Sequence, residues 1–100
     1  MLLIRDVMYC KPGQVRAMVD KFKAMEKVMK KAGPRNRMRI MTDVCGERYW
    51  TVVVESEVQS IDAYTEMTRK SMTDKNLQKA MKGYHDLVVQ GRREIYTIEN

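Results

Sequence analysis

His85 is the one histidine in the chain, and so the one side chain whose ordinary titration lies near neutral pH, the property a general base needs. Tyr9, Trp50, Tyr64, Met81 and Tyr84 are the aromatic and sulfur-bearing residues best suited to line an apolar pocket around it. Cys10 and Cys45 are too few and too far apart in sequence for a disulfide framework or a zinc site, and read as two buried free thiols. No metal-ligand spacing, glycine-rich phosphate loop or nucleophile motif occurs, so the expectation is no metal and no cofactor. Whether such a pocket catalyses or only binds stays open at this stage.

Charge narrows the partners. The net charge is +6, and from Lys21 to Arg39 eight basic residues stand against one acid, Glu26. A basic stretch of this kind attracts nucleic acid, an anionic membrane or an anionic ligand, or is simply the solvated face of a helix. No run of apolar residues approaches the roughly 18 of a membrane span. Met1-Leu2-Leu3-Ile4 is interrupted at once by Arg5-Asp6, which is no signal-peptide core. The expectation is a soluble, reduced, cytoplasmic protein with no membrane partner.

The patterned segments that must position these residues fill residues 1–100 as a single domain. Residues 2–10 alternate with both faces largely apolar, as in a covered central strand, and Lys11-Pro12-Gly13 turns the chain. Val15, Met18, Val19, Phe22, Met25, Met29 and Ala32 recur at helical spacing with lysines opposite, until Gly33-Pro34 stops the helix. Residues 37–45 read as a strand, Cys45-Gly46-Glu47-Arg48 as a short hairpin loop, and Tyr49 to Val58 as a central strand rich in aromatic and β-branched residues. Ser60 caps a helix carrying Ile61, Tyr64, Met67 and Thr68 inward. After a bend at Ser71 to Asp74, where Thr73 caps a fresh start, a second helix runs through Leu77, Met81 and Tyr84 to Val88. Gly91 ends it, and Arg92 to Glu99 forms the last strand.

This β-α-β-β-α-β order predicts an α+β, ferredoxin-like split βαββαβ domain: an antiparallel four-stranded sheet with both helices on one face. The fourth strand lies beside the first, and the third between the first and second. Strand polarity then gathers Tyr9, Cys10, Cys45, Trp50, Tyr84, His85 and Arg92 at one end of the sheet. Cys10 and Cys45, two strand spacings or about 9.5 Å apart, are beyond the roughly 7 Å a disulfide tolerates. The first and third strands lack a clean polar row, so something must cover the second face of the sheet, and the natural candidate is another copy of the chain. Arg5 and Asp6 interrupt the first strand with opposite charges on opposite faces. Either that end is wet, or one of the two lines a pocket or crosses a dimer; Glu55 poses the same question, which a cross-strand arginine would answer.

Lys11-Pro12-Gly13, the segment Trp50-Thr51-Val52-Val53-Val54-Glu55-Ser56 followed by Ser60-Ile61, and the closing Val88-Val89-Gln90-Gly91-Arg92-Arg93-Glu94-Ile95-Tyr96 resemble the dimeric α+β barrel superfamily. That superfamily includes the antibiotic-biosynthesis-monooxygenase-like and NIPSNAP-like proteins. The resemblance spans nearly the whole chain and implies a homodimer whose sheets face each other, with a small apolar pocket in each subunit between sheet and helices. Three functions are then expected in order: binding of a small apolar or aromatic molecule, cofactor-free monooxygenase-like action on a small aromatic substrate, and RNA binding. Haem-degrading members carry an Asn on the first strand, a Trp on the second helical region and a His further along. Here the first strand has no Asn, Tyr64 stands where the Trp belongs, and Met81 falls nearest the histidine position. RNA-recognition domains need stacking aromatics mid-strand, where this chain has Val52-Val53-Val54, so nucleic acid is not the expected partner.

Overall fold

The computed structural model describes residues 1–32 and 38–100, and the expected helix stop at Gly33-Pro34, with Arg35 and Arg37, lies outside them. The first strand, β1 (Leu2–Cys10), gives way to a turn in which Gly13 takes φ 81°, a left-handed conformation that a side chain would strain. Helix α1 (Val15–Ala32) follows, then β2 (Met38–Thr42), β3 (Thr51–Val58), α2 (Ile61–Thr73), α3 (Lys75–Ala80), a 3-10 turn at Tyr84–Asp86, and β4 (Val88–Thr97). The strands form one antiparallel sheet in the order β2-β3-β1-β4, the expected α+β ferredoxin-like arrangement.

Cross-strand partners point to the same face of a sheet, so the register sorts the side chains. Met8 pairs with Val52, and Ile40 with Val54, on the face that meets the helices. There Cys10, Val52 and Val54 pack with Met18, Val19 and Phe22 of α1, all of them buried, and Met18 and Val52 completely so. The helix contributes one stripe, Val15, Met18, Val19, Phe22 and Met25, because these recur every three or four residues. Its other face carries the lysines, and Lys30 pairs with Glu26 at 3.7 Å. Neither α2 nor α3 has a buried residue, so α1 is the helix that holds the sheet.

Boundaries differ from the sequence expectation in three places. The first is the loop before β3: β2 ends at Thr42 rather than Cys45, β3 starts at Thr51 rather than Tyr49, and the expected tight hairpin becomes a loop spanning residues 43–50. Tyr49 is 86% exposed and Trp50 43%, and Trp50 has φ 60°, a conformation that costs a bulky residue about 1–2 kcal/mol. The strain is held by hydrogen bonds around it: the Cys10 N–H donates to the Trp50 carbonyl at 2.8 Å, the Thr51 N–H to Asp43 Oδ1 at 2.8 Å, and the Thr51 hydroxyl to the Arg48 carbonyl at 2.8 Å. Cys45, left in this loop, is exposed rather than buried.

The other two places lie in the second helical region. Ser60 caps α2 as expected, accepting from the Ala63 N–H at 3.1 Å. The fresh start, however, is capped by Asp74 rather than Thr73, its Oδ1 accepting from Asn76 and Leu77 at 2.8 and 3.2 Å. The helix then ends within two turns instead of reaching Val88, because Gly83 takes φ 81° and diverts the chain into the 3-10 turn. Gly91, read from sequence as the stop, is instead a residue of β4 opposite Met8.

Candidate functional site

The face of the sheet away from the helices presents Leu3, Arg5, Val7 and Tyr9 from β1, every second residue of the strand. Its partners assemble row by row. Across one row Arg39 stands opposite Glu55, Glu55 opposite Arg5, and Arg5 opposite Glu94, so charge alternates over all four strands. Across the next, Met41 meets Val53, Val53 meets Val7, and Val7 meets Arg92. Across the third, Tyr9 lies between Thr51 and Gln90.

The 43–50 loop folds along the edge of these rows and encloses a groove of about 360 Å³, a size suited to a small organic molecule. Val7, Val53 and Met41 give it an apolar floor, and Arg5, Arg48 and Arg92 reach into it. Tyr9 is only 7% exposed although it stands on this face, because two guanidinium groups cover it. Arg48 lies over its ring at 4.1 Å from the centroid, and Arg92 Nη1 donates to its hydroxyl. Arg48 is held further by donating to Gln90 Oε1 at 3.2 Å.

Arg92 also donates from Nε to Glu94 Oε2 at 3.0 Å. That bond, then the one to the Tyr9 hydroxyl, raises the Arg92 pKa. The same Arg92 bond, followed by one from Tyr96, holds the Glu94 carboxyl below its ordinary value. Arg5 sits between Glu55 at 3.8 Å and Glu94 at 3.9 Å, too long for hydrogen bonds. Its Nε is buried and finds no hydrogen-bond partner among the described residues. The Arg5–Glu55 pair is the cross-strand answer that Glu55 called for in the sequence.

Asp6, the other charge in β1, points to the helix side. Arg93 Nε donates to its Oδ1 at 2.5 Å, while Arg93 Nη1 donates to the Tyr64 hydroxyl on α2. The Asp6 bond is the main reason the Arg93 pKa is raised. This cluster ties α2 to the sheet with polar contacts where apolar ones are few.

The residues singled out from sequence divide between the two faces. Tyr9 lines the groove. Tyr64 meets Arg93, while Met81 and Tyr84 pack against the core beneath the helices. His85 lies against Tyr84 with ring centroids 3.9 Å apart and does not line the groove. Trp50 stands at the loop end, joined through its carbonyl to Cys10, and the Lys11 N–H donates to the Leu87 carbonyl at 2.8 Å. Trp50 and Leu87 thus meet β1 at its Tyr9–Cys10 end, but the expected residues do not share one side of the sheet.

Arg48, Met41 and Val53, which build the groove with Tyr9 and Arg92, are not among the residues that the sequence gathers at that end. Their signal was the alternation of Arg5, Val7 and Tyr9, which marks one face of β1 and separates Tyr9 from Cys10. The sequence expectation puts a pocket between sheet and helices, where the Met18 and Val52 side chains are fully buried; the groove lies on the opposite face. Burial raises the Cys10 thiol pKa on that helix side. Among the described residues no group of three or more His, Cys, Asp or Glu residues is placed to hold a metal ion, and no helix is long and apolar enough to cross a membrane.

No protein-family model matches the sequence, and neither does any curated protein sequence. Solved structures do match the fold. An uncharacterised NIPSNAP domain protein from Burkholderia xenovorans superposes with a TM-score of 0.82 at 12% identity, over 99% of this chain and 95% of the other. A NIPSNAP family protein from Agrobacterium tumefaciens gives 0.82 at 13% identity, over 99% and 93%. A putative antibiotic biosynthesis monooxygenase from Nitrosomonas europaea gives 0.76 at 11% identity, over the full length of both chains. The chain thus shares the ferredoxin-like fold of NIPSNAP and antibiotic-biosynthesis-monooxygenase-like proteins.

Proposed function

We propose that the protein is a homodimer that binds a small apolar or aromatic molecule, with two copies facing each other across the helix-free side of the sheet and the molecule held in the groove on that side. The observation that carries this proposal is the groove itself: a concave, apolar-floored space on the one sheet face that the chain leaves without a helix. A second sheet laid on this face closes the groove and gives partly exposed apolar residues such as Met41 and Tyr96 a neighbour.

The alternating row supports a particular symmetry. A twofold axis running along the strands between β3 and β1 sets Arg39 opposite the partner's Glu94 and Glu55 opposite the partner's Arg5. Every charge then meets its opposite, which is the self-complementarity an isologous interface requires. An exposed free thiol at Cys45 suits a reducing compartment, in keeping with a cytoplasmic dimer.

The test is ligand-induced thermal stabilisation with a panel of small aromatics, neutral and charged. A molecule present at about 100 times its Kd adds roughly 2.7 kcal/mol to the folded state, which moves the Tm of a domain this size by roughly 10 °C or more. Some panel members are expected to do so for the wild-type protein and to lose the effect in Val53→Trp, which fills the groove floor. A flat response across the panel contradicts the proposal.

A further inference from the structure

We propose that the molecule held in the groove is an arenecarboxylate: a flat ring over Val7, Val53 and Met41 beside Tyr9, and a carboxylate taken by Arg48 and Arg92. The inference rests on the proposed binding role of the groove and names its chemical class.

Charge in the groove supports a monoanion. Arg5, Arg48 and Arg92 line it against two carboxylates, Asp43 and Glu47. Asp43 is already engaged with the Thr51 N–H at 2.8 Å. Among the described residues Arg48 makes no ion pair; it has only the neutral Gln90 amide and the Tyr9 ring as partners. A guanidinium presents a planar fork of donors that matches a carboxylate, so an ion-pairing ligand is the partner its chemistry lacks. Arg5 and Arg92 already face Glu55 and Glu94, so among the described residues Arg48 is the groove cation left without an anionic partner, and a carboxylate neutralises its single charge. A phosphate dianion overshoots it beside Asp43, Glu47 and Glu94.

The remainder of the lining supports a ring. The floor residues are aliphatic or thioether side chains, and Tyr9 offers an aromatic edge and a face that Arg48 already uses for stacking. Aromatic rings pack well against both. Arg48 stands on the 43–50 loop rather than in the sheet, so it can shift from the Tyr9 ring toward an incoming anion without disturbing the strands.

Titration of the full-length protein with 1-naphthoate, benzoate and the corresponding carboxamides separates the alternatives. The carboxylates are expected to bind at least tenfold more tightly than their amides, and added salt is expected to weaken only the carboxylates. Arg48→Gln, with an unchanged urea midpoint as the check on folding, is expected to lower naphthoate affinity about tenfold and leave naphthamide unaffected. Equal binding of acid and amide, or naphthoate affinity unmoved by Arg48→Gln, overturns the carboxylate assignment while leaving the groove as a binding site. Absence of binding by acids and amides alike overturns both.

Discussion

Replacing Phe22 with alanine is expected to lower the stability of the fold by about 3–5 kcal/mol. Phe22 is 3% exposed and stands in the α1 stripe against Cys10, Val52 and Val54, where the sheet and its covering helix meet. It is the only phenylalanine in the chain, and α2 and α3 bury no residue that could compensate for the cavity left behind. A domain of this size has about 5–15 kcal/mol in all, so the variant is marginal. Urea unfolding at fixed protein concentration measures the loss as a lower midpoint with an unchanged slope. A drop below about 1 kcal/mol means that α1 does not hold the sheet in the way its packing indicates.

Reversing one charge in the alternating row is expected to weaken the proposed dimer by two orders of magnitude or more. Arg5→Glu places an acid beside Glu55 and Glu94 in its own sheet and opposite the partner's Glu55. Like charges set against each other across an interface cost several kcal/mol. Adding Glu55→Arg restores an opposite charge at each facing position, and the double variant is expected to regain most of the lost association. Sedimentation across a concentration series reads both effects. If the single variant associates as the wild type does, or the double variant fails to recover, the twofold arrangement along the strands is wrong.

Legibility in the sequence followed how local the determining physics is. Alternation and helical spacing carried the strand order, and the strand order carried the fold, because few topologies accommodate β-α-β-β-α-β. The boundaries that moved turn on single backbone conformations. Tyr49 and Trp50 have the side chains of strand residues, yet Trp50 sits at φ 60° because hydrogen bonds from Cys10 and around Thr51 close the loop there. Gly83 and Gly91 look alike in sequence; Gly83 has the left-handed φ, while Gly91 lies within β4.

The site was less legible for a related reason. Tyr9 and Cys10 are neighbours in sequence but face opposite sides of the sheet, so gathering residues at one end of the fold does not gather them at one surface. Strand polarity brings Arg92 to the same end as Tyr9, but Arg48 lies in a loop with no periodicity, and it is the side-chain contacts of the folded chain that bring both onto Tyr9. Arg5 was the exception, because a charge inside an otherwise apolar strand demands a partner, and the Glu55 that supplies it was identifiable in the neighbouring strand.

The proposed function places everything on the helix-free face of the sheet, and sedimentation equilibrium of the wild-type protein at micromolar concentration tests that most directly. The expected result is a species of twice the 11.8 kDa chain mass that persists on dilution. A single species at the chain mass across the whole concentration range would leave that face open to solvent and contradict the account.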